Sequence, residues 1–107
     1  MTKKLTLKCM HEMHELMSYH SRVAKKPVTF TRIELYNLME KVWPYVSKSP
    51  LHRNFPSSGV WAKYISLNKD IVATRVFKME YDNTVGGMVK TARIHYAVHL
   101  EGQGGAQ

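Results

Sequence analysis

Apolar residues recur at spacings of three and four from Leu5 to about His20, where Cys9, Met10, Met13, Leu16 and Met17 fall on one stripe of a helix. This first helix is expected to end near Ser21 to Ala24. Lys25, Lys26 and Pro27 form a polar joint, and the residue before a proline avoids helical angles. A second helix is expected to open at Phe30-Thr31-Arg32-Ile33-Glu34-Leu35. There the Thr31 hydroxyl can accept from the Glu34 amide while the Glu34 carboxylate reaches back to the Thr31 amide, and Phe30 can staple onto Leu35. Its core face would carry Leu35, Leu38, Met39, Val42 and Val46. Pro44 lacks a donor and clashes with the preceding turn, so the regular helix should stop or kink near Trp43.

Residues 47 to 58 hold Pro50, Pro56, four serines and Asn54, turn chemistry that predicts an irregular connection. Ser58 to Leu67 reads best as a third helix capped by Ser57 or Ser58. Val60, Trp61, Tyr64, Ile65 and Leu67 would point inward, Ala62, Lys63 and Ser66 outward, and Asn68 would be a left-handed stop. The competing reading makes this segment a strand. Beyond it the period changes to two. Ile71, Ala73, Phe77, Met79 and Tyr81 share a face of one strand, with Arg75 the exception. After the turn residues Asp82 to Gly87, the residues Met88, Ala92, Ile94, Tyr96, Val98 and Leu100 share a face of the next, with Thr91, Arg93, His95 and His99 on the other side.

These elements predict an α+β fold: two or three N-terminal helices, then a long C-terminal antiparallel hairpin. The alternative is a three-stranded sheet packed on two helices. The chain's 107 residues suit a single compact domain over residues 1 to 100, with 101 to 107 (Glu-Gly-Gln-Gly-Gly-Ala-Gln) a disordered tail that has nothing to bury. No run approaches the eighteen or so apolar residues of a membrane span, and Lys8, His11 and Glu12 interrupt any signal-peptide core, so a soluble cytoplasmic protein is expected.

Charge sharpens the picture. Sixteen Lys and Arg against eight Asp and Glu give a net charge of +8. Between Lys41 and Lys78 seven basic residues face one acid, Asp70, interleaved with Trp43, Tyr45, Phe55, Trp61, Tyr64 and Phe77. Cations set among aromatics can neutralise phosphates while stacking on bases. Most of these aromatics are nevertheless expected in the core, because large apolar side chains are usually buried.

Catalytic and metal-binding patterns are thin. The lone Cys9 excludes an intrachain disulfide and reads as a buried hydrophobe. His11-Glu12-Met13-His14 spaces its histidines by three, not the four of a zinc protease helix, so solvated histidines and no metal are expected. Gly86-Gly87 sits in a hairpin turn and precedes no helix, so it is no phosphate loop. No cofactor is implied, and an enzyme is the minority reading.

Three helices followed by a hairpin is the element order of a winged helix-turn-helix, in which the third helix lies in the major groove and the wing contacts phosphate. That order implies a small basic protein binding nucleic acid, DNA before RNA, with weak sequence specificity. The residues that would carry it are Lys48 and Arg53 from the loop, Ser57, Ser58, Lys63 and Ser66 from helix three, and Lys78 and Lys90 from the wing. Two other functions fit. One is a non-enzymatic inhibitor or adaptor, including one from a mobile genetic element, that binds protein through its Met-rich first helix or uses the hairpin edge for strand addition or homodimerisation. The other is a metal-independent ribonuclease using Arg75, Arg93, His95 and His99 on an open sheet. It requires Ser58 to Leu67 to be a strand.

Overall fold

The computed structural model describes residues 2–99, so the expected tail and Leu100 lie outside the described residues. Four helices precede one antiparallel hairpin, an α+β arrangement. They are α1 (Thr2–Ala24), α2 (Arg32–Val42), α3 (Leu51–Asn54) and α4 (Ser58–Leu67). A 3₁₀ turn, Trp43–Tyr45, follows α2 directly, and the strands are β1 (Ile71–Asp82) and β2 (Gly87–Val98).

The amphipathic stripe of α1 works as its spacing predicts. Cys9, Met10, Met13 and Met17 are buried, Leu16 is half-buried, and Ser18 and Ser21 extend the buried face. The helix begins three residues earlier than the apolar period suggests and ends at Ala24, where Lys25 takes a left-handed φ of 58°. Lys25 N–H then donates to the Arg22 carbonyl and Lys26 N–H to that of Ser21, both at 3.3 Å. Those paired bonds satisfy carbonyls that a helix end otherwise leaves open, in a cap that usually employs glycine.

At the start of α2 the capping box is complete. Glu34 N–H donates to Thr31 Oγ1 at 3.2 Å and Thr31 N–H to Glu34 Oε1 at 2.8 Å. Leu35 and Met39 are buried, Leu38, Val42 and Val46 half-buried, and regular helix gives way to the 3₁₀ turn at Trp43, one residue before Pro44.

The connection expected to be irregular contains α3. Pro50 at its N-cap leaves an extended entry, and Asn54, fully buried, donates through Nδ2 to Ser49 Oγ and to the Pro50 carbonyl, each at 2.9 Å. A helical turn forms because the side chain of its last residue ties back to the two residues that precede it. Residues 58–67 are helix, which removes the three-stranded alternative. Two details of α4 differ from expectation. Val60 and Leu67 are exposed because the neighbouring elements cover only the Trp61, Tyr64 and Ile65 side. Asn68 is extended rather than left-handed, and stops the helix through its side chain, whose Nδ2 donates to the Tyr64 carbonyl at 2.8 Å.

Buried side chains from α1, α2, α3, α4 and the base of the hairpin form one cluster. Trp61 sits at its centre, stacked on Tyr64 with centroids 5.5 Å apart and edge-on to Tyr96 at 5.7 Å. The hairpin pairs Ile71 with Val98 through to Asp82 with Gly87. Only its base is covered: Ile71, Tyr96, Ala97 and Val98 are buried, whereas every residue from Val72 to His95 is exposed or half-exposed. The residues expected to face the core are on one face as predicted, but beyond the base that face has no helix over it. Twelve paired residues at about 3.3 Å each make a ribbon some 40 Å long. The Cα radius of gyration of 15.6 Å correspondingly exceeds the roughly 13 Å of a compact chain of about 100 residues.

Two outcomes are expected in solution. Replacing Lys25 by glycine relieves the left-handed strain and raises the unfolding free energy by about 1 kcal/mol, read from urea midpoints. Burial, and secondarily the charge of Glu12, push the Cys9 thiol from 9.0 up to about 12. The folded chain therefore keeps a proton that the unfolded chain sheds between those values. Its stabilisation is full below about pH 9 and is lost as pH rises toward 12. Urea midpoints followed across that window should fall, and fall less in Cys9→Ala.

Candidate nucleic-acid interface

The basic residues singled out by the sequence all reach solvent. Lys48 lies on the loop after the 3₁₀ turn, Arg53 on α3, Ser57 and Ser58 at the start of α4, and Lys63 and Ser66 on its outer side, all exposed. Gly59, Ala62, Lys63 and Ser66 recur at helical spacing along that outer side, which is consequently smooth and carries one cation. Two of the serines already have internal work. Ser57 Oγ accepts from Val60 N–H at 3.3 Å, capping the helix, and Ser66 Oγ donates to the Lys63 carbonyl at 2.7 Å.

Lys78 and Lys90 do not share a surface. The register puts Lys78 opposite Thr91 on one face of the ribbon and Lys90 opposite Met79 on the other. The Lys78 face carries Thr74, Val76, Glu80, Thr91, Arg93 and His95 and is mainly polar. The Lys90 face carries Arg75, Phe77, Met79, Tyr81, Met88 and Ile94 and is mainly apolar, with the Lys90 ammonium 4.9 Å from the Phe77 ring centre. Arg75 and His95 consequently point to opposite sides, and the cationic cluster that the ribonuclease reading needs is not assembled.

Of the interleaved aromatics, Trp43, Trp61 and Tyr64 are core, Phe55 is half-buried, and Tyr45 and Phe77 project. Tyr45, at 90% exposure, is left outside because the 3₁₀ turn aims Trp43 inward, where its indole N–H donates to the Ser49 carbonyl.

A groove of about 670 Å³ runs between the first turns of α2 and α4, with Ile94 and Tyr96 of β2 along it and Arg32 and Arg93 among its lining residues. Arg32 is fixed there: its guanidinium donates to the Pro56 carbonyl at 2.8 Å and lies 5.2 Å from the Phe55 ring centre. Sequence pattern gave this arginine no role, because its partners come from a loop 24 residues away.

His14 is not the solvated histidine expected. Its Nε2 lies 2.6 Å from Asp70 Oδ2 and donates to that carboxylate, and its Nδ1 lies 3.0 Å from the Tyr64 hydroxyl. The hydroxyl donates to a neutral imidazole and accepts from a charged one. Burial, then the charges of Asp70 and Glu15, raise the Tyr64 hydroxyl above the usual tyrosine value. The chain of three ties α1 to α4 and to the turn before β1, while His99 N–H donates to the Asp70 carbonyl at 2.7 Å. The signal was present in the spacing: His14 stands four residues after Met10 and three before Met17, on the buried stripe.

Three of the acids are committed within the fold. Glu34 caps α2, Asp70 holds His14, and Asp82 Oδ1 accepts from Thr84 and Val85 N–H in the hairpin turn. Among the described residues one Lys or Arg is ion-paired with a carboxylate, Arg93 with Glu80 at 3.4 Å, and that pair is solvent-exposed. No described helix is long and apolar enough to cross a membrane. No family model, curated protein or solved structure matches the chain.

Because Asp70 is 40% exposed, water screens the His14–Asp70 pair, and Asp70→Asn should cost about 1 kcal/mol. His14→Ala, which strips partners from both Asp70 and Tyr64, should cost about 2 kcal/mol. A double-mutant cycle on thermal or urea unfolding measures their coupling, and an additive result would show that the contact contributes nothing.

Proposed function

We propose that this protein binds nucleic acid, duplex DNA in preference to RNA, through phosphate contacts with little base preference. The observation that supports this is the uncompensated charge: a net +8, with Arg93 the one ion-paired Lys or Arg among the described residues. Such a surface attracts a polyanion and gains affinity from counterions released as each phosphate is neutralised.

In this reading α4 and the hairpin occupy the places of recognition helix and wing. Lys48, Arg53 and Lys63 engage phosphates around α4, with Ser57 and Ser58 near its start. On the ribbon, Lys78 does so from the polar face beside Thr74 and Thr91. A two-stranded ribbon fits the major groove of B-form DNA. Base reading is weak because the outer side of α4 offers glycine, alanine, lysine and serine, without the Arg, Asn or Gln that form bidentate pairs with bases. Lys90 contributes less than Lys78, since it lies over Phe77 on the apolar face. The protein acts as a cytoplasmic binder rather than an enzyme.

Fluorescence anisotropy of a labelled mixed-sequence duplex, titrated with protein over a range of salt, tests the proposal. Affinity should fall steeply with salt. Arg53→Ala and Lys63→Ala should each weaken binding on any sequence and lower the magnitude of the salt slope by about one. Absence of binding at low salt, to this duplex and to a matched single-stranded RNA, overturns the reading.

A further inference from the structure

The apolar face of the hairpin is the largest feature that nucleic-acid binding leaves unused. Phe77 (55% exposed), Met79 (59%), Tyr81 (63%), Met88 (57%) and Ile94 (44%) all lie on it. A folded chain rarely shows so many large apolar side chains in one contiguous strip unless something covers them. The strip runs into the groove between α2 and α4, since Ala92, Ile94 and Tyr96 belong to both.

We infer that a second copy of this chain covers the strip, the two hairpins packing apolar face to apolar face in an antiparallel, twofold-symmetric pair. Area favours this occupant. Five side chains, each about half exposed and on the order of 200 Å² in size, offer roughly 500 Å² per copy. Two copies thus remove about 1,000 Å² from water, which reaches the lower bound of a specific interface before the groove adds to it.

Shape and charge agree. A twofold axis between the Phe77–Ala92 and Met79–Lys90 rows sets each of these rows against the other, so the Met79 thioether meets the partner's Phe77 ring and Lys90 meets the small side chain of the partner's Ala92. The same operation brings the Arg75–Ile94 row over the partner's Tyr81 and Met88, placing Arg75 on an aromatic ring and Ile94 on a thioether. Both cations of the strip then lie over rings, as Lys90 already does within one chain. The ribbon's acids, Glu80 and Asp82, belong to the opposite face, so none is buried by the contact. The polar faces with Lys78 and Arg93 point outward, and the pairing does not depend on whether they bind nucleic acid.

Two +8 chains repel, so screening by salt strengthens this association, whereas salt weakens phosphate binding. Sedimentation equilibrium of the full chain from about 1 to about 100 μM, at low and high salt, reads the difference. The mass should climb from 12.4 kDa toward twice that value as concentration rises, and more readily at high salt. Phe77→Ser combined with Met79→Thr should weaken association at least about tenfold, while Val89→Thr on the polar face should leave it unchanged. A second measurement does not depend on weakening the hairpin: a bifunctional thiol reagent with a spacer of about 10 Å, the separation of two packed sheet faces, should join two Ala92→Cys chains faster than two Thr91→Cys chains. The inference is overturned by a monomer at about 100 μM in high salt, by equal cross-linking from the two faces, or by a dimer indifferent to Phe77 and Met79. Phe77-dependent binding of a persistent monomer to phosphatidylcholine vesicles would overturn it as well, by giving the face to a bilayer.

Discussion

Tyr96 joins the two parts of this molecule. Its amide and carbonyl bond to those of Phe30, both at 2.8 Å, while its ring stands edge-on against Trp61. Along one edge of β2, then, the backbone is held to the segment that leads into α2, and through the side chain it is held to α4. Because both backbone groups of Tyr96 face Phe30, its pairing with Ala73 on the other edge is a non-hydrogen-bonded one that brings side chains close. An isolated two-stranded hairpin is marginal in water. This one persists because its last turn of sheet is clamped from three directions, with Ile71 and Val98 filling the core beside it.

That clamp divides the labour along the ribbon. Everything below Tyr96 serves stability, and everything beyond it is exposed on both faces and free to serve contact. The faces differ by one residue in register: one collects threonines, lysine and arginine, the other aromatic and thioether side chains. The phosphate contact proposed for the first and the self-association proposed for the second would not compete for the same atoms, and the two would respond oppositely to salt.

Much of the fold was legible because local chemistry and final packing coincide. The Thr31–Glu34 box, the α1 stripe and the break before Pro44 are decided by residues within a few positions of one another. The strand faces were legible too, because a period of two fixes them. Whether a body covers those faces was not, since Phe77, Met79 and Tyr81 alternate in the same way whether a helix lies over them or solvent does. α3 was hidden because Asn54 stabilises it by reaching back to Ser49 and Pro50, residues that read as loop. The His14–Tyr64–Asp70 chain and the seat of Arg32 join residues 24 to 56 positions apart, so no local pattern names the partners, although the place of His14 on the α1 stripe marks its burial. Of the candidate interface, the charge and the exposure of its residues were readable, and the separation of Lys78 from Lys90 followed only from the register.

The core itself carries a consequence. Four of its buried members, Met10, Met13 and Met17 of α1 and Met39 of α2, are unbranched thioethers. Methionine fills irregular space by rotating about three bonds, so it accommodates a changed neighbour where a branched side chain would clash. A centre of this kind imposes a volume and a period but few identities. Selection acting on such a chain can replace many interior residues one at a time while the helices keep their places, which lets the sequence drift far while the architecture stands still.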